Sequence, residues 1–354
     1  MALDNVLNSL NVAWMEANGP ESDIAVSSRV RLARNLSVFP FPNLLRDEQT
    51  AREVVRRIQD ALTGAAGLEM ITFDQLGRLD RQILLEKHLI SPEFAERELP
   101  LYGVILDEAG SISVMINEED HLRIQCLLPG LQIESAHRCA DQVDNLLEAN
   151  LEFAFDERRG YLTACPTNVG TGMRASVMLH LPAITMTNQQ GAIFSNIVHL
   201  GLAVRGLYGE GTQAVGNLYQ ISNQVTLGQS EYDIIGNLWT VAYHLIEQER
   251  NIRERLQHEM RYQLEDRVWR AYGLVTNARM ITSNEALAML SDVRLGVDLG
   301  ILPPVSLKSL NELIIGIRPA HLMRAAIREM SSQERDLARA EIIKQKLAKP
   351  AKEE

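Results

Sequence analysis

The chain has 354 residues, 46% of them hydrophobic and 23% charged, with a formal net charge of −11 at pH 7. That length fits two domains or one large domain with an appendage, and the composition is that of an ordinary globular protein. The acidic balance argues against a general nucleic-acid binder, whose footprint is basic, and no apolar run reaches membrane-spanning length. Three cysteines (Cys126, Cys139 and Cys165) form no CxxC pair and no zinc-site spacing, which predicts a reduced protein without a structural metal. The N-terminus is interrupted by Asp, Asn and Glu and lacks a signal layout, so the expected location is cytoplasmic.

Residues 4–18 carry Leu7, Leu10, Val12 and Trp14 at helical spacing and stop at Gly19-Pro20, which predicts a short amphipathic helix. The next run, DIAVSSRVRLARN, alternates small apolar with polar residues and predicts a strand or extended loop. Helical spacing returns over 46–63, with Val54, Val55, Ile58 and Leu62 on one face, and over 79–90. From Leu101 strand-like runs flank a turn at Glu108–Gly110, an antiparallel hairpin. A helix is expected over 135–153, a strand–loop–helix through LTACPTNVGTGMRASVMLHLP, and strands over 196–206 and 214–227. Beyond about residue 228 the strand signals vanish. The order predicts an α+β fold over 1–254, an antiparallel sheet flanked by helices, then an all-helical C-terminal domain over 255–354.

Cys165–Ser176 reads CPTNVGTGMRAS and places a thiol, a small-residue turn and Arg174 in one loop. Arg29 and Arg31 in SSRVR, Arg123 in NEEDHLR and Arg205 in VRGLYGE stand on separate segments. A Gly/Thr loop lets the backbone approach a ligand, and a guanidinium fork grips phosphate oxygens in pairs. Taken singly, each arginine reads equally as half of a surface ion pair. Neither a GxxxxGK[ST] stretch nor an HRD/DFG set is present. Phosphoryl transfer needs an aligned triphosphate and positive charge around it, which converging arginines would supply.

The segments SSRVRLARN, NEEDHLRI and CPTNVGTGMRAS, in this order, resemble the phosphagen kinases, which move the γ-phosphoryl of ATP onto a guanidinium nitrogen. The likeness runs from about Ser22 to about Glu249. It implies ATP binding by Ser27, Ser28, Arg29, Val30 and Arg31, by His88 and Arg123, and by Arg174, Ala175, Ser176, Val177 and Met178. Arg205, Gly206, Leu207, Tyr208 and Gly209 complete the set it implies. Glu119 and Glu210 match the acids that grip the acceptor, and Cys165 matches the family's reactive cysteine beside it. Stripping a proton from a guanidinium at pH 7 costs roughly 7 kcal/mol, so two carboxylates that orient the fork and accept the proton suit the task. Cationic neighbours would favour a Cys165 thiolate that helps position the acceptor. No dedicated metal site is visible, so Mg²⁺ should arrive with ATP. From the residues alone, His88 is equally a helix histidine, and Glu118, Glu119 and Asp120 are equally a solvated acidic turn.

Two departures matter. Only Met1–Val26 precede Ser27, whereas small-molecule phosphagen kinases carry a helical domain there; the acceptor side should be more open. The helical region after 255 is an addition, and RGLYGEG differs from their RGTxGEH pattern at Leu207, Tyr208 and Gly211. Together these features resemble the bacterial protein arginine kinases (McsB type), which phosphorylate arginine side chains and mark proteins for a Clp-type protease. In that family the RDxxRA string, here Arg335–Ala340, resembles an allosteric phosphoarginine pocket, which implies roles for Arg335, Asp336 and Arg339. The residues alone read as a capped helix with Ser331 and Glu334 as its capping box. The resemblance further implies protein substrates with exposed arginines, a small zinc-binding activator and a Clp ATPase partner; the long helical tail and its RDxxRA string suggest self-association as a homodimer. A kinase of free arginine or another small guanidine, or a non-catalytic phosphoarginine-binding adaptor, are the alternatives.

Overall fold

The structure, a computed structural model, describes residues 2–45, 47–63, 65–97, 101–206 and 215–348. Among them, eight strands form one antiparallel sheet: β1 (Ala25–Arg34), β2 (Leu68–Thr72), β3 (Gly103–Asp107), β4 (Ile112–Ile116), β5 (Leu122–Pro129), β8 (Met173–His180), β9 (Leu202–Gly206) and β10 (Leu218–Asn223). Their spatial order is β2-β3-β4-β5-β1-β8-β10-β9, and β6 (Phe155–Asp156) and β7 (Gly160–Tyr161) form a separate ribbon. The α+β expectation of an antiparallel sheet with flanking helices therefore holds.

β1 lies between β5 and β8, and its alternation sorts its side chains by face. Ser28, Val30, Leu32 and Arg34 are buried against the core, where α5 (Ile133–Glu148) packs along β1 and β5. Arg34 donates from Nε and Nη2 to Asp144 of α5 at 3.0 and 2.7 Å, and its guanidinium lies 3.5 Å from the Tyr161 ring centroid. Burial pushes the Asp144 carboxyl up, and Arg34 pulls it only partway back. Asp144→Ala would leave a buried guanidinium unpaired and should cost about 3–5 kcal/mol, read as a shift of the denaturant midpoint. A loss below about 1 kcal/mol would mean the pair does not fasten α5 to the sheet.

Several boundaries differ from the sequence expectation. Instead of one helix over 4–18 there are α1 (Ala2–Asn8) and a 3-10 turn at Ala13–Glu16. The buried Lys87 ammonium takes the carbonyls of Val6 and Ser9, which satisfies the end of α1 and stops it. Helices α2 (Glu48–Ala61), α3 (Arg78–Glu86) and the single turn α4 (Pro92–Ala95) follow, so the helix expected over 79–90 ends early. MRASVMLH, the end of the segment expected as strand–loop–helix, is strand β8 instead, with Met173, Ala175, Val177 and Leu179 fully buried on one face. The first half of the strand expected over 196–206 is instead the end of α7 (Gln190–His199), which follows the short α6 (Pro182–Met186).

From α8 (Glu231–Glu259) onward the described residues form helices, and α8 runs unbroken through residue 254. It is followed by α9 (Arg261–Asn277), α10 (Ser283–Asp298), α11 (Leu307–Gly316), α12 (Pro319–Ala326) and α13 (Ser332–Leu347). Polar ties fasten this region to the rest. The buried Glu249 carboxylate accepts from the first amides of α6, Ala183 N and Ile184 N, at 3.0 and 2.9 Å. Arg294 donates to Ser22 O at 2.8 Å, Arg324 pairs with Asp80 at 2.9 Å, and Glu86 caps α12.

Candidate active site

A cavity of about 410 Å³ opens on the sheet face opposite α5. Antiparallel register builds its floor in rows. Ser27 of β1 stands opposite Met178, which stands opposite Gln220, which stands opposite Arg205. One step along, Leu127, Arg29 and Ser176 align; one further, Gln125, Arg31 and Arg174 align. Directly opposed residues share a face, so the alternation in SSRVR, LRIQ and MRASVM delivers one polar surface. Arg29 donates to Gln220 Oε1 and, at 3.4 Å, to Ser176 Oγ.

The charges on this floor repel one another. Burial and then the neighbouring guanidinia of Arg123 and Arg174 push Arg29 down to about 10. Arg31 is driven well below its ordinary value by burial, Arg29, Arg123 and Arg174, against which only Glu118 pulls. A guanidinium keeps its proton at pH 7, so these depressions express desolvation first and mutual repulsion second, and a bound polyanion would offset both. Glu118 accepts from Arg123 Nη1 at 2.6 and 2.7 Å and from Ser91 Oγ. Burial raises this carboxyl, but the charge and hydrogen bonds of Arg123, with Ser91, outweigh it and hold it below the usual range.

His88 closes one wall. It follows α3 with φ 62°, a left-handed conformation uncommon for a side-chain-bearing residue. Gln125 Nε2 donates to its carbonyl at 2.8 Å, and the Trp14 ring packs 5.8 Å from the imidazole. Burial, then Arg29 and Arg318, lower its pKa to about 3. A ¹⁵N NMR titration should find the ring still neutral at about pH 5 in the free protein. Added ATP should raise its pKa, because phosphate anions favour the cation that both guanidinia oppose. An ordinary pKa in the free protein would mean the ring is not enclosed there.

Of the residues singled out in the sequence, the cavity gathers Ser27, Arg29, Arg31, His88, Arg123, Ser176, Met178 and Arg205. Arg174 is absent from the lining but acts on Arg29 and Arg31 through its charge. Ser28, Val30, Ala175 and Val177 face the opposite side; Ser28 Oγ donates to Gly130 O at 2.8 Å and accepts from Gln132 N at 2.8 Å. Gly206 ends β9, and Leu207, Tyr208, Gly209 and Glu210 lie outside the described residues.

Glu119 is exposed and Cys165 is half-buried, and neither lines the cavity. Their loops are joined by a neighbour the sequence reading set aside. Asp120 Oδ1 accepts from Ala164 N and Asn35 Nδ2, each at 2.6 Å, and Asn35 Oδ1 accepts from His121 N at 3.0 Å. Burial lifts Asp120 to about 6, against these hydrogen bonds. The staple ties Glu119–Asp120 to Ala164–Cys165 at the end of β1. The glycines of CPTNVGTGMRAS allow close approach to other backbone: a Cβ would stand 2.6 Å from Thr226 O at Gly170 and 2.7 Å from Ala33 O at Gly172.

Sequence reasoning missed Gln125, Gln220, Trp14 and Arg318 in the lining. Gln125 was legible, since it alternates with Arg123 in LRIQ; Gln220 enters by register, opposite Met178 and Arg205. Arg318 carried no local signal. In the tail, Arg339 is buried and donates to Ile317 O at 2.9 Å and Ile281 O at 2.8 Å while pairing with Asp336. Arg335 is half-buried and donates to Met330 O at 2.6 Å.

Residues 49–252 match the family model "ATP:guanido phosphotransferase, C-terminal catalytic domain", and residues 261–354 match "Protein-arginine kinase McsB C-terminal domain". The protein-arginine kinase of Syntrophomonas wolfei is 54% identical over 353 residues, covering 98% of each chain. That of Moorella thermoacetica is 52% identical, covering 96% of this chain and 98% of its own. Among solved structures, lombricine kinase aligns with a TM-score of 0.58 at 25% identity, over 70% of this chain and 75% of its own. The taurocyamine kinase of Schistosoma mansoni, with bound transition state analog components, aligns with a TM-score of 0.59 at 26% identity, over 69% of this chain and 35% of its own. A phosphagen-kinase sheet carrying the arginine array, continued by that C-terminal domain, places this chain in the protein-arginine kinase family, among the ATP-using guanido phosphotransferases.

Proposed function

We propose that the protein transfers the γ-phosphoryl of ATP to arginine side chains of other proteins, with a catalytic unit over residues 1–254 and a helical unit over 255–354. The observation that carries this reading is the convergence of Arg29, Arg31, Arg123 and Arg205 on one cavity, where Arg29 and Arg31 each feel further guanidinia. Such an array is complementary to a triphosphate and to the charge that develops on the transferred group. Mg²⁺ enters with the nucleotide, held by phosphates and water.

In this reading Glu119 and Glu210 hold the acceptor fork, with Cys165 beside it. The bond from the γ-phosphorus to the β,γ-bridging oxygen breaks as the phosphorus–nitrogen bond forms. The guanidinium proton passes to a carboxylate, and ADP leaves. Support for the acceptor side is the Asp120 staple, which tethers the loops of Glu119 and Cys165 together. Arg335, Asp336 and Arg339 form a phosphoarginine-responsive element, and the product mark commits proteins to Clp-type degradation in the cytoplasm. A zinc-binding activator, a Clp ATPase and a second copy of the chain are the partners.

Incubation with ATP and an arginine-rich protein, followed by mass spectrometry under neutral or basic handling, should find phosphate on arginine nitrogen. Phosphate on free arginine alone, undiminished by competing protein, would overturn the choice of acceptor.

A further inference from the structure

One wall of the cavity comes from the helical region. Arg318 and Pro319 line it together with Arg29, Arg31, Arg123 and Arg205 of the sheet. Arg318 is the N-cap of α12, and three sets of contacts fix it there. Pro319 presets the first helical turn. The Glu86 carboxylate accepts from Ala320 N at 2.8 Å and from His321 N at 3.1 Å, anchoring the start of α12 to α3. Arg339 holds the carbonyl of Ile317, the residue just before it. The Arg318 guanidinium donates from Nε to Ile314 O at 3.1 Å.

The charges have an order. Arg31 feels Arg29, Arg123, Arg174 and Glu118, the group nearest the Glu119 loop. β1 leads from Ser27 through Arg29 and Arg31 to Asn35, which meets Asp120 beside the Glu119 loop, while Arg294 fastens the helical region at the opposite end, on Ser22 O. Arg318, which lines the cavity with His88 and comes from that helical region, therefore stands toward the end of the array away from the Glu119 loop. Burial, only partly opposed by Glu86, lowers it to about 10. Glu86 also accepts from His321 Nδ1 at 2.6 Å.

We infer that Arg318 is a nucleotide-binding residue of this kinase, gripping the α-phosphate at the end of the triphosphate remote from the acceptor, with Arg339 as its positioning residue. The inference rests on the nucleotide reading of the cavity. It makes the helical region part of the ATP site.

Isothermal titration of the full chain with ATP, ADP and AMP tests it. Arg318→Gln should weaken all three by a similar factor, about tenfold, because the α-phosphate is common to them. Arg123→Gln should penalise ATP more than AMP. In turnover, Arg318→Gln and Arg339→Gln should raise the KM for ATP by more than they lower kcat, and Arg318→Lys should recover part of the loss. Unchanged affinities in Arg318→Gln overturn the inference and leave the nucleotide reading standing. Failure of the unmodified chain to bind any of the three removes both. A loss that tracks a lowered unfolding temperature, with no recovery in Arg318→Lys, also overturns it.

Discussion

Arg31→Met is expected to lower kcat/KM for ATP by about 10²–10³-fold while leaving the unfolding temperature of the free protein unchanged or higher. Arg31 is a half-buried cation of the cavity floor that feels three other guanidinia and one carboxylate. Methionine keeps much of its volume and removes the repulsion, so the fold gains where the chemistry loses. Steady-state kinetics and a thermal melt on the same preparation read both effects. The stabilisation that ATP confers on the unmodified protein should vanish in the variant, since linkage requires binding. Full activity with a lowered melting point would mean the array is structural.

Glu119→Gln should lower kcat by about 10²–10⁴-fold and shift the affinity for ATP by no more than about twofold. The reason is positional. Glu119 is exposed and outside the nucleotide cavity, on a loop that Asp120 fastens to the segment bearing Cys165. Glutamine preserves its shape and one acceptor oxygen but cannot take the guanidinium proton at pH 7. Single-turnover rates with pre-bound ATP isolate that step. An equal loss in ATP affinity would place Glu119 among the phosphates and end its assignment to the acceptor.

Much of the site was visible in short patterns because a strand sorts its side chains by parity. SSRVR alternates, so Ser27, Arg29 and Arg31 share a face while Ser28 and Val30 enter the core. The same parity divides Ser176 and Met178 from Ala175 and Val177. The resemblance named whole segments and so could not make that division. Where local reading failed, another part of the chain had intervened. α1 ends where the Lys87 ammonium takes its carbonyls, and the apolar run before Leu200 was absorbed into α7. Short apolar runs do not distinguish strand from buried helix.

By itself the sequence supplied the members of the array: which arginines exist, which of them alternate within a short run such as SSRVR, and which acids accompany them. Tertiary structure alone decided how those strands stand side by side, that the glycines of CPTNVGTGMRAS make room for Thr226 and Ala33, and that Arg318 reaches the cavity. Parity and spacing are properties of a few consecutive residues. The meeting of Arg318 with β1 depends on Glu86 capping α12 and Arg339 holding Ile317, contacts between segments far apart in the chain that no local pattern encodes.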